Sequence, residues 1–428
     1  MIRPNLRSFA AAVACLTLAP VAASAQEGFY GGPGDPAAHR LPRSSYQAPI
    51  QDHYIRGNTE VWDESRPIES FVGNVADRSW IRLEFLMWNN NGDHDHIGAP
   101  VSGLQANSRG ELEGYTVPVP LIDNLNGGTV NTGEALFPNA TMLGTKDIPG
   151  VRGTWGLDLN GADMEMSFFG MGQSSSSMVD DDISAARVFV GLATPPELGT
   201  SLFPNTAVPL LTDGNISPVA DVNALIFSES FSQNLETQMW GSEIVFLTDS
   251  NAPGGAGASF QWLGGFRYVN VDESYGFVGK AVNDDASSVH SSTINNFYGP
   301  EVGARLALSS KYFSVSATPR VMFGINDNSA NVSSVIEGVT GTAYDYQNVD
   351  FGTITQINLA AEIHLSPAFS VFGGYDFMVL TGISKPFDNI YYNSVTDALG
   401  DRSADIGQQV ELQNMVVNGF SVGAVFRY

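Results

Sequence analysis

The sequence predicts an antiparallel transmembrane β-barrel of ten strands, with short periplasmic turns and long extracellular loops. Three observations support this fold class. Apolar and polar residues alternate in many short segments, short and long connections alternate along the chain, and the last residue, Tyr428, is aromatic. Twelve strands are the alternative count, because two further short segments could form one more hairpin.

The N-terminus has the three parts of a secretory signal peptide, in the usual order. Arg3 and Arg7 are positive, residues 9–21 are mostly apolar, and residues 23–25 read Ala-Ser-Ala. We expect cleavage after residue 25, which removes both arginines and changes the formal charge from −25 to −27. Residues 26–78, rich in Gly and Pro, are expected to form a periplasmic segment, and residues 79–428 the barrel.

Composition excludes several classes of protein. The acidic balance disfavours nucleic acid as a partner, since phosphate binding requires clustered Lys and Arg. Cys15 is the only cysteine and lies in the predicted signal peptide, so we expect neither a disulfide nor a thiolate metal site. Beyond the signal no apolar run reaches 18 residues, which leaves a closed barrel as the expected way to span a membrane.

The alternating segments begin at Trp80. Leu83, Phe85 and Met87 fall on one face of the first segment, whereas Arg82 and Glu84 fall on the other. In a membrane barrel the polar face lines the lumen. Collected over all segments, the predicted lumen-lining residues are Arg82, Glu84, Arg152, Asp158, Glu165, Arg267, Glu301, Arg305, Arg320, Glu362 and Asp376. An open charged pore and a salt-bridged plug are both compatible with ten to twelve strands.

The lengths of the connections sort into two kinds. Four are short: 160–161, 250–258, 309–311 and 366–368. Between them lie long polar segments, at 89–150, 172–232, 272–292, 326–350 and 382–414. Tight turns on one rim and long loops on the other are typical of outer-membrane barrels. The alternative of twelve strands arises from residues 186–192 and 222–227, inside the second long segment.

No catalytic, cofactor or metal-binding motif is evident. The sequence contains no G-x-S-x-G, no H-E-x-x-H and no phosphate-binding glycine loop. Acidic groups at 93–96 and 180–182 are interpreted as solvated loops, because their spacing matches no known metal-binding loop. We therefore expect a protein that is not an enzyme and that holds neither cofactor nor metal.

The C-terminus resembles the signal by which the barrel-assembly machinery recognises its clients. Phe420, Phe426 and Tyr428 carry this resemblance, with alternating apolar residues between them. The assembly machinery is therefore an expected partner, together with the lipid of the outer membrane.

Several segments together resemble the beta-barrel porin family number seven, found chiefly in planctomycete bacteria. They are 84–88 (EFLMW), 237–243 (TQMWGSE), 263–274 (LGGFRYVNVDES), 296–299 (NFYG), 372–377 (FGGYDF) and 383–386 (ISKP). One departure is Lys385, where the family typically has Arg. The resemblance implies an outer-membrane barrel, and it brings no catalytic residues to transfer.

Two functions remain open from the sequence. The first is a porin-like barrel that passes small solutes and favours cations, because acidic loops concentrate cations at the mouth. The alternative is a surface-structural or adhesive barrel that binds partners through its long loops without transport. Both place the protein in the outer membrane of a Gram-negative-type bacterium.

Overall fold

The computed structural model describes most of the barrel region, and the statements below concern the described residues. These are 73, 75–91, 97–99, 116–122, 130–136, 143, 145–159, 161–180, 208–212, 224–227, 229–249, 257–280, 285–396 and 402–427. No helix within these ranges is long and apolar enough to cross a membrane.

The described part of the chain consists almost entirely of antiparallel β-strands. In chain order they are β1 (Ser79–Asn91), β2 (Thr116–Ile122), β3 (Val130–Leu136), β4 (Thr145–Asp158), β5 (Ala162–Met171), β6 (Ser174–Asp180), β7 (Val208–Leu211), β8 (Ala224–Phe227), β9 (Ser230–Thr248), β10 (Gly257–Lys280), β11 (Ser287–Ser309), β12 (Phe313–Ile336), β13 (Val339–Thr340), β14 (Tyr344–His364), β15 (Phe369–Ser384), β16 (Ile390–Thr396), β17 (Arg402–Gln408) and β18 (Leu412–Arg427).

Ten of these strands form a closed wall. Its order is β1-β4-β5-β9-β10-β11-β12-β14-β15-β18, and β18 returns to pair with β1. Every neighbouring pair is antiparallel. The predicted ten-stranded barrel is therefore confirmed. Residues 222–227, which raised the alternative of twelve strands, lie partly in β8, which pairs with β7 outside the wall; residues 186–192 lie outside the described residues.

The four connections predicted to be short all lie on one rim. They follow β4, β9, β11 and β14, and the wall begins at Ser79 and ends at Arg427 on the same rim. Three of these turns are closed by backbone hydrogen bonds, from Leu159 N to Ala162 O at 2.9 Å, from Ser310 N to Phe313 O at 2.8 Å and from Leu365 N to Phe369 O at 3.1 Å. In an outer-membrane barrel this is the periplasmic rim.

An apolar belt surrounds the wall. Its exposed side chains include Leu83, Phe85, Val151, Met166, Phe246, Trp262, Phe266, Val302, Leu306, Phe313, Phe323, Leu359, Phe420 and Val422. Along β11 the belt runs from Leu308 to Tyr298, which is about 34 Å at roughly 3.4 Å per residue. A strand tilt of roughly 40° reduces this to about 26 Å, close to the apolar height of membrane barrels.

Aromatic contacts mark both borders of this belt. Trp240 lies 5.0 Å from Tyr268, and Tyr268 lies 6.5 Å from Tyr298, measured between ring centroids on the extracellular side. On the periplasmic side Phe369 and Phe426 are 5.2 Å apart. Such girdles are expected where a barrel crosses both membrane interfaces.

Six strands continue beyond the extracellular girdle as an open sheet, a feature that the sequence did not predict. The segments 272–292 and 326–350 were expected to be loops, but most of their residues extend β10, β11, β12 and β14. Their outer face carries mainly hydroxyl, amide and carboxylate groups, with few apolar side chains such as Val278 and Val349, so the alternating pattern used to recognise a strand is weak there. β6 completes this extension by pairing with β9.

The inner face of the extension has its own apolar contacts. Phe227 of β8 packs against Phe231 and Phe277, with ring centroids 5.6 and 6.2 Å away. Gly279 allows this approach, since a Cβ there would overlap the Phe227 ring. The hairpin of β16 and β17 also contributes buried side chains, and burial raises the pKa of its Tyr392 phenol. The extension is therefore a packed extracellular part and not a set of bare loops.

A charge placed on the belt should be costly only if lipid surrounds it. Val302 lies between the two girdles, and we expect Val302→Arg to lower the free energy of unfolding by about 2–4 kcal/mol in lipid vesicles. Urea unfolding followed by tryptophan fluorescence provides the measurement. Ser292→Arg, on the same face of β11 but beyond Tyr298, is the control. If Val302→Arg changes the free energy of unfolding by less than about 0.5 kcal/mol, Val302 faces water and the apolar belt is not in contact with lipid.

Candidate functional site

The barrel lumen is the candidate site, and its periplasmic half contains a layer of paired charges. Of the predicted lumen-lining residues, the structure brings Arg82, Glu84, Arg152, Glu165, Arg267, Glu301, Arg305, Arg320 and Asp376 together on the inner face. With Glu243 they form what we call the charged layer, which holds five arginines and five carboxylates. Asp158 lies apart from it, at the periplasmic end of β4.

Arg152 is the centre of one cluster. Its guanidinium donates to Glu84 Oε2 at 2.5 Å and to Asp376 Oδ2 at 2.9 Å. Arg82 Nε approaches the other oxygen of Glu84 to 2.8 Å. Gln356 and Asn358 also donate to Asp376, at 3.0 and 2.9 Å. Each buried charge is thus opposed by a charge of the other sign, as burial in a low-dielectric interior requires.

Other ion pairs cross the lumen. Arg305 of β11 makes two 2.7 Å hydrogen bonds to Glu165 of β5, although β9 and β10 separate these strands in the wall. Arg320 of β12 reaches Glu243 of β9 at 2.7 Å, again across two intervening strands. The side chains of Arg152, Arg267 and Glu301 are at most 5% exposed, so side chains fill most of this level, and the charged layer has the arrangement of a salt-bridged plug.

Glu362, another of the predicted lumen-lining residues, forms a separate contact at the periplasmic rim. Glu362 accepts from Arg427 Nη2 at 2.5 Å, and Arg427 Nη1 donates to Ser370 Oγ at 2.8 Å. This ties the closing strand β18 to the hairpin of β14 and β15. Phe420 and Phe426, which resemble an assembly signal, face outward, and Tyr428 lies outside the described residues.

Glu243 was missed by the sequence analysis. It contacts Arg320 at 2.7 Å and Arg267 at 3.6 Å, so it belongs to the centre of the charged layer. The sequence did contain a pattern that places Glu243 in the lumen, because it lies on the strand face opposite to the outward-facing Ile244 and Phe246. Its inward neighbours, Val245 and Leu247, are apolar, which made this face of β9 look less polar than it is.

A second layer, on the extracellular side of the charges, is apolar. Trp88, Met239, Phe297 and Met378 lie within it and are almost completely buried. We call it the apolar layer, and it comprises Leu86, Trp88, Ile148, Phe169, Met171, Met239, Val269, Val271, Phe297, Met322, Ile354, Met378, Leu380, Ile383, Met415 and Val417. A cavity beside Trp88 measures about 10 Å³, which is no more than one water molecule requires.

A third, polar layer occupies the extracellular mouth. Glu273, Asn295 and Asn326 lie on the inner face of the wall there and are fully buried. The chain segment that follows β15 covers them from above. Lys385 and Asn389 of this segment are equally buried.

Metal-binding groups do not assemble in the described part of the lumen. No group of three or more His, Cys, Asp or Glu residues in the described ranges could hold a metal ion. The acidic sequence at 93–96 lies outside the described residues, as do 181 and 182.

Removal of Arg152 would leave two carboxylates buried without their main partner. We expect Arg152→Met to lower the free energy of unfolding by about 3–5 kcal/mol. Adding Asp376→Asn should recover part of this loss, because it removes one uncompensated charge. Urea unfolding in lipid vesicles is the measurement. Lys280→Met, which breaks the exposed pair with Glu229, is the control and should cost under about 1 kcal/mol. Equal costs for the two variants would refute the buried network.

The chain is similar to a family of proteins and to several solved structures. Residues 80–428 match the family described as Putative beta barrel porin-7 (BBP7). Among solved structures, the outer membrane protease OmpT from Escherichia coli is 9% identical, with 82% of this chain and 97% of that chain covered and a TM-score of 0.42. A Pseudomonas aeruginosa FadL homologue is 8% identical, with 82% and 90% covered and a TM-score of 0.22.

These structural similarities are too low to support an argument about function. The search of curated proteins gave no match. The family match covers the whole barrel wall from β1 to β18, and the wall has the closure, turns and belt of an outer-membrane protein. The chain therefore belongs to the BBP7 family of outer-membrane β-barrels.

Proposed function

We propose that this member of a porin family is a surface-structural barrel whose lumen does not conduct in the conformation described. The filled lumen is the observation that supports this proposal. Ion pairs cross the interior in the charged layer, and methionine, tryptophan and aliphatic side chains fill the level above it. A solute would have to displace both layers to cross the membrane.

The extracellular extension supports the same proposal. The wall strands β9 to β12 and β14 continue past the girdle, and β9 and β10 pack against β8. Building such a part requires additional buried contacts that a simple pore does not need. We infer that the barrel serves as a rigid membrane anchor for this structure at the cell surface.

A cation-favouring porin is the competing function. Carboxylates are frequent on the outer face of the extension, including Glu236, Asp272, Asp327 and Asp345, and they would raise the local concentration of cations. Cation accumulation at the surface is compatible with either function. Passage of cations, however, would require the charged and apolar layers to rearrange.

Conductance in planar bilayers separates the two functions. We expect folded protein to give no steady current steps above those of the bare bilayer, because both layers are filled. Retarded migration before boiling on a detergent gel confirms that the inserted protein is folded. Reproducible steps from such protein would refute the proposal, and a reversal potential of cation sign in a salt gradient would then support the porin.

Surface labelling tests the placement of the extension. With Cys15 replaced by Ala, His290→Cys should react with a membrane-impermeant maleimide in intact cells, since His290 is exposed beyond the girdle. The control is Lys311→Cys, in the turn between β11 and β12, which should react only after the outer membrane is permeabilised. The reverse pattern would show that the extension faces the periplasm.

A further inference from the structure

The segment that covers the mouth leaves the wall at the end of β15, just after a bulge. The pairing of β15 with β18 shifts between Thr381 and Ile383, and Gly382 has a φ of 74°, which glycine adopts without strain. Ile383 and Ser384 pair again with β18, and beyond them the chain turns into the lumen. We call residues 382–389 the strap.

Polar side chains of the opposite wall hold the strap. Asn295 of β11 donates to Ser384 O at 2.8 Å and accepts from Ser384 N at 2.8 Å, as a neighbouring strand would. Asn326 of β12 donates to Gly382 O at 2.8 Å and to Asn295 Oδ1 at 2.9 Å. Within the strap, Asn389 donates to Ser384 Oγ at 2.8 Å. At the far end, Asn389 O accepts from Gln409 N at 2.9 Å, so the strap is fixed near its two ends.

The positively charged side chain of Lys385 extends from the strap into the lumen. Its Nζ lies 3.9 Å from Glu273 Oε2, and both side chains are 1% exposed. Thr237 and Asn90 donate to Glu273 Oε1 at 3.1 and 3.4 Å. In contrast, Glu273 Oε2 has no hydrogen-bond partner among the described residues.

The distance between Lys385 Nζ and Glu273 Oε2 is longer than a hydrogen bond. A charge-assisted hydrogen bond between an ammonium and a carboxylate is about 2.7–2.9 Å long, so Lys385 compensates the charge of Glu273 without donating to it. The backbone of the strap is held by Asn295 and Asn326, which restrains how far the lysine can reach. An ammonium group that is not tethered to the strap could approach Glu273 more closely.

We propose that Glu273, with Thr237 and Asn90, forms an ammonium-binding site in the extracellular mouth, and that Lys385 occupies it as a built-in ligand. A primary alkylammonium of external origin would compete with Lys385 for this site. When it binds, the strap moves outward and the mouth opens as a vestibule. Apart from Ile383, the apolar layer below belongs to strands of the wall on the membrane side of the strap, so the vestibule remains closed at its base.

The vacated site can be tested by chemical rescue. Lys385→Ala removes the built-in ligand and leaves Glu273 buried without its ammonium partner. The midpoint of thermal unfolding of this variant should therefore be lower than that of the unchanged protein. Millimolar n-propylammonium should then raise this midpoint by about 3 °C or more, because a ligand that binds only the folded state stabilises it. Equimolar n-propanol, which lacks the charge, should have no effect, and neither compound should act on the Lys385→Ala/Glu273→Gln double variant.

The intact protein provides a second measurement. Ser291→Cys, introduced with Cys15→Ala, places a thiol on the inner wall at a fully buried position, whereas Ser292→Cys places one on the outer face. n-Propylammonium should accelerate maleimide labelling of Ser291→Cys by about tenfold, because binding favours the open strap, and should leave Ser292→Cys unchanged.

The outcomes distinguish the proposal from its alternatives. If Lys385→Ala does not fold, the labelling of Ser291→Cys in the protein that keeps Lys385 decides alone. Rescue by propanol and propylammonium alike would mean that the site takes any small molecule, which overturns the proposal. Absence of rescue together with unchanged labelling would also overturn it. The result does not depend on the proposed surface role, which the conductance experiment tests separately.

Discussion

The structure depends on one constraint: within lipid, every backbone N–H and C=O group of the wall must be paired by the protein itself. Ten antiparallel strands meet this constraint only because β18 pairs with β1 and closes the wall. Closure at ten strands also fixes a narrow lumen, in which side chains from opposite walls meet. The filling of the lumen therefore depends both on strand number and on the side chains that face inward, such as Arg267 and Met378.

A narrow lumen in turn determines which side chains can occupy it. An unpaired charge could not remain there, so each arginine of the charged layer contacts at least one carboxylate, as Arg305 contacts Glu165 and Arg320 contacts Glu243. Toward the extracellular side the charges give way to methionines and other apolar groups, which adapt to irregular space. Stability and closure thus arise from the same contacts.

The sequence allowed the wall to be predicted because lipid and lumen impose opposite polarity on neighbouring residues. Where that contrast is lost, prediction failed. Met378, Val379 and Leu380 are apolar on both faces, so the apolar layer could not be recognised from them. The extension is polar on its outer face, so its strands were taken for loops. Ion pairs across the lumen, such as Arg305 with Glu165, also depend on barrel curvature, which no local pattern encodes.

The mouth differs from the two layers beneath it in how it is closed. The charged and apolar layers are closed by side chains of the wall, whose movement would require the wall itself to deform. The mouth is closed by the strap, a single segment held by side-chain amides, one long ion pair and the buried side chains of Ile383 and Phe387. Local opening is easiest where the fewest contacts are lost, and moving one segment breaks fewer contacts than deforming the wall. Conformational change is therefore expected at the mouth, on the side of the barrel that also carries the packed extension, and any response to an external ligand would begin there.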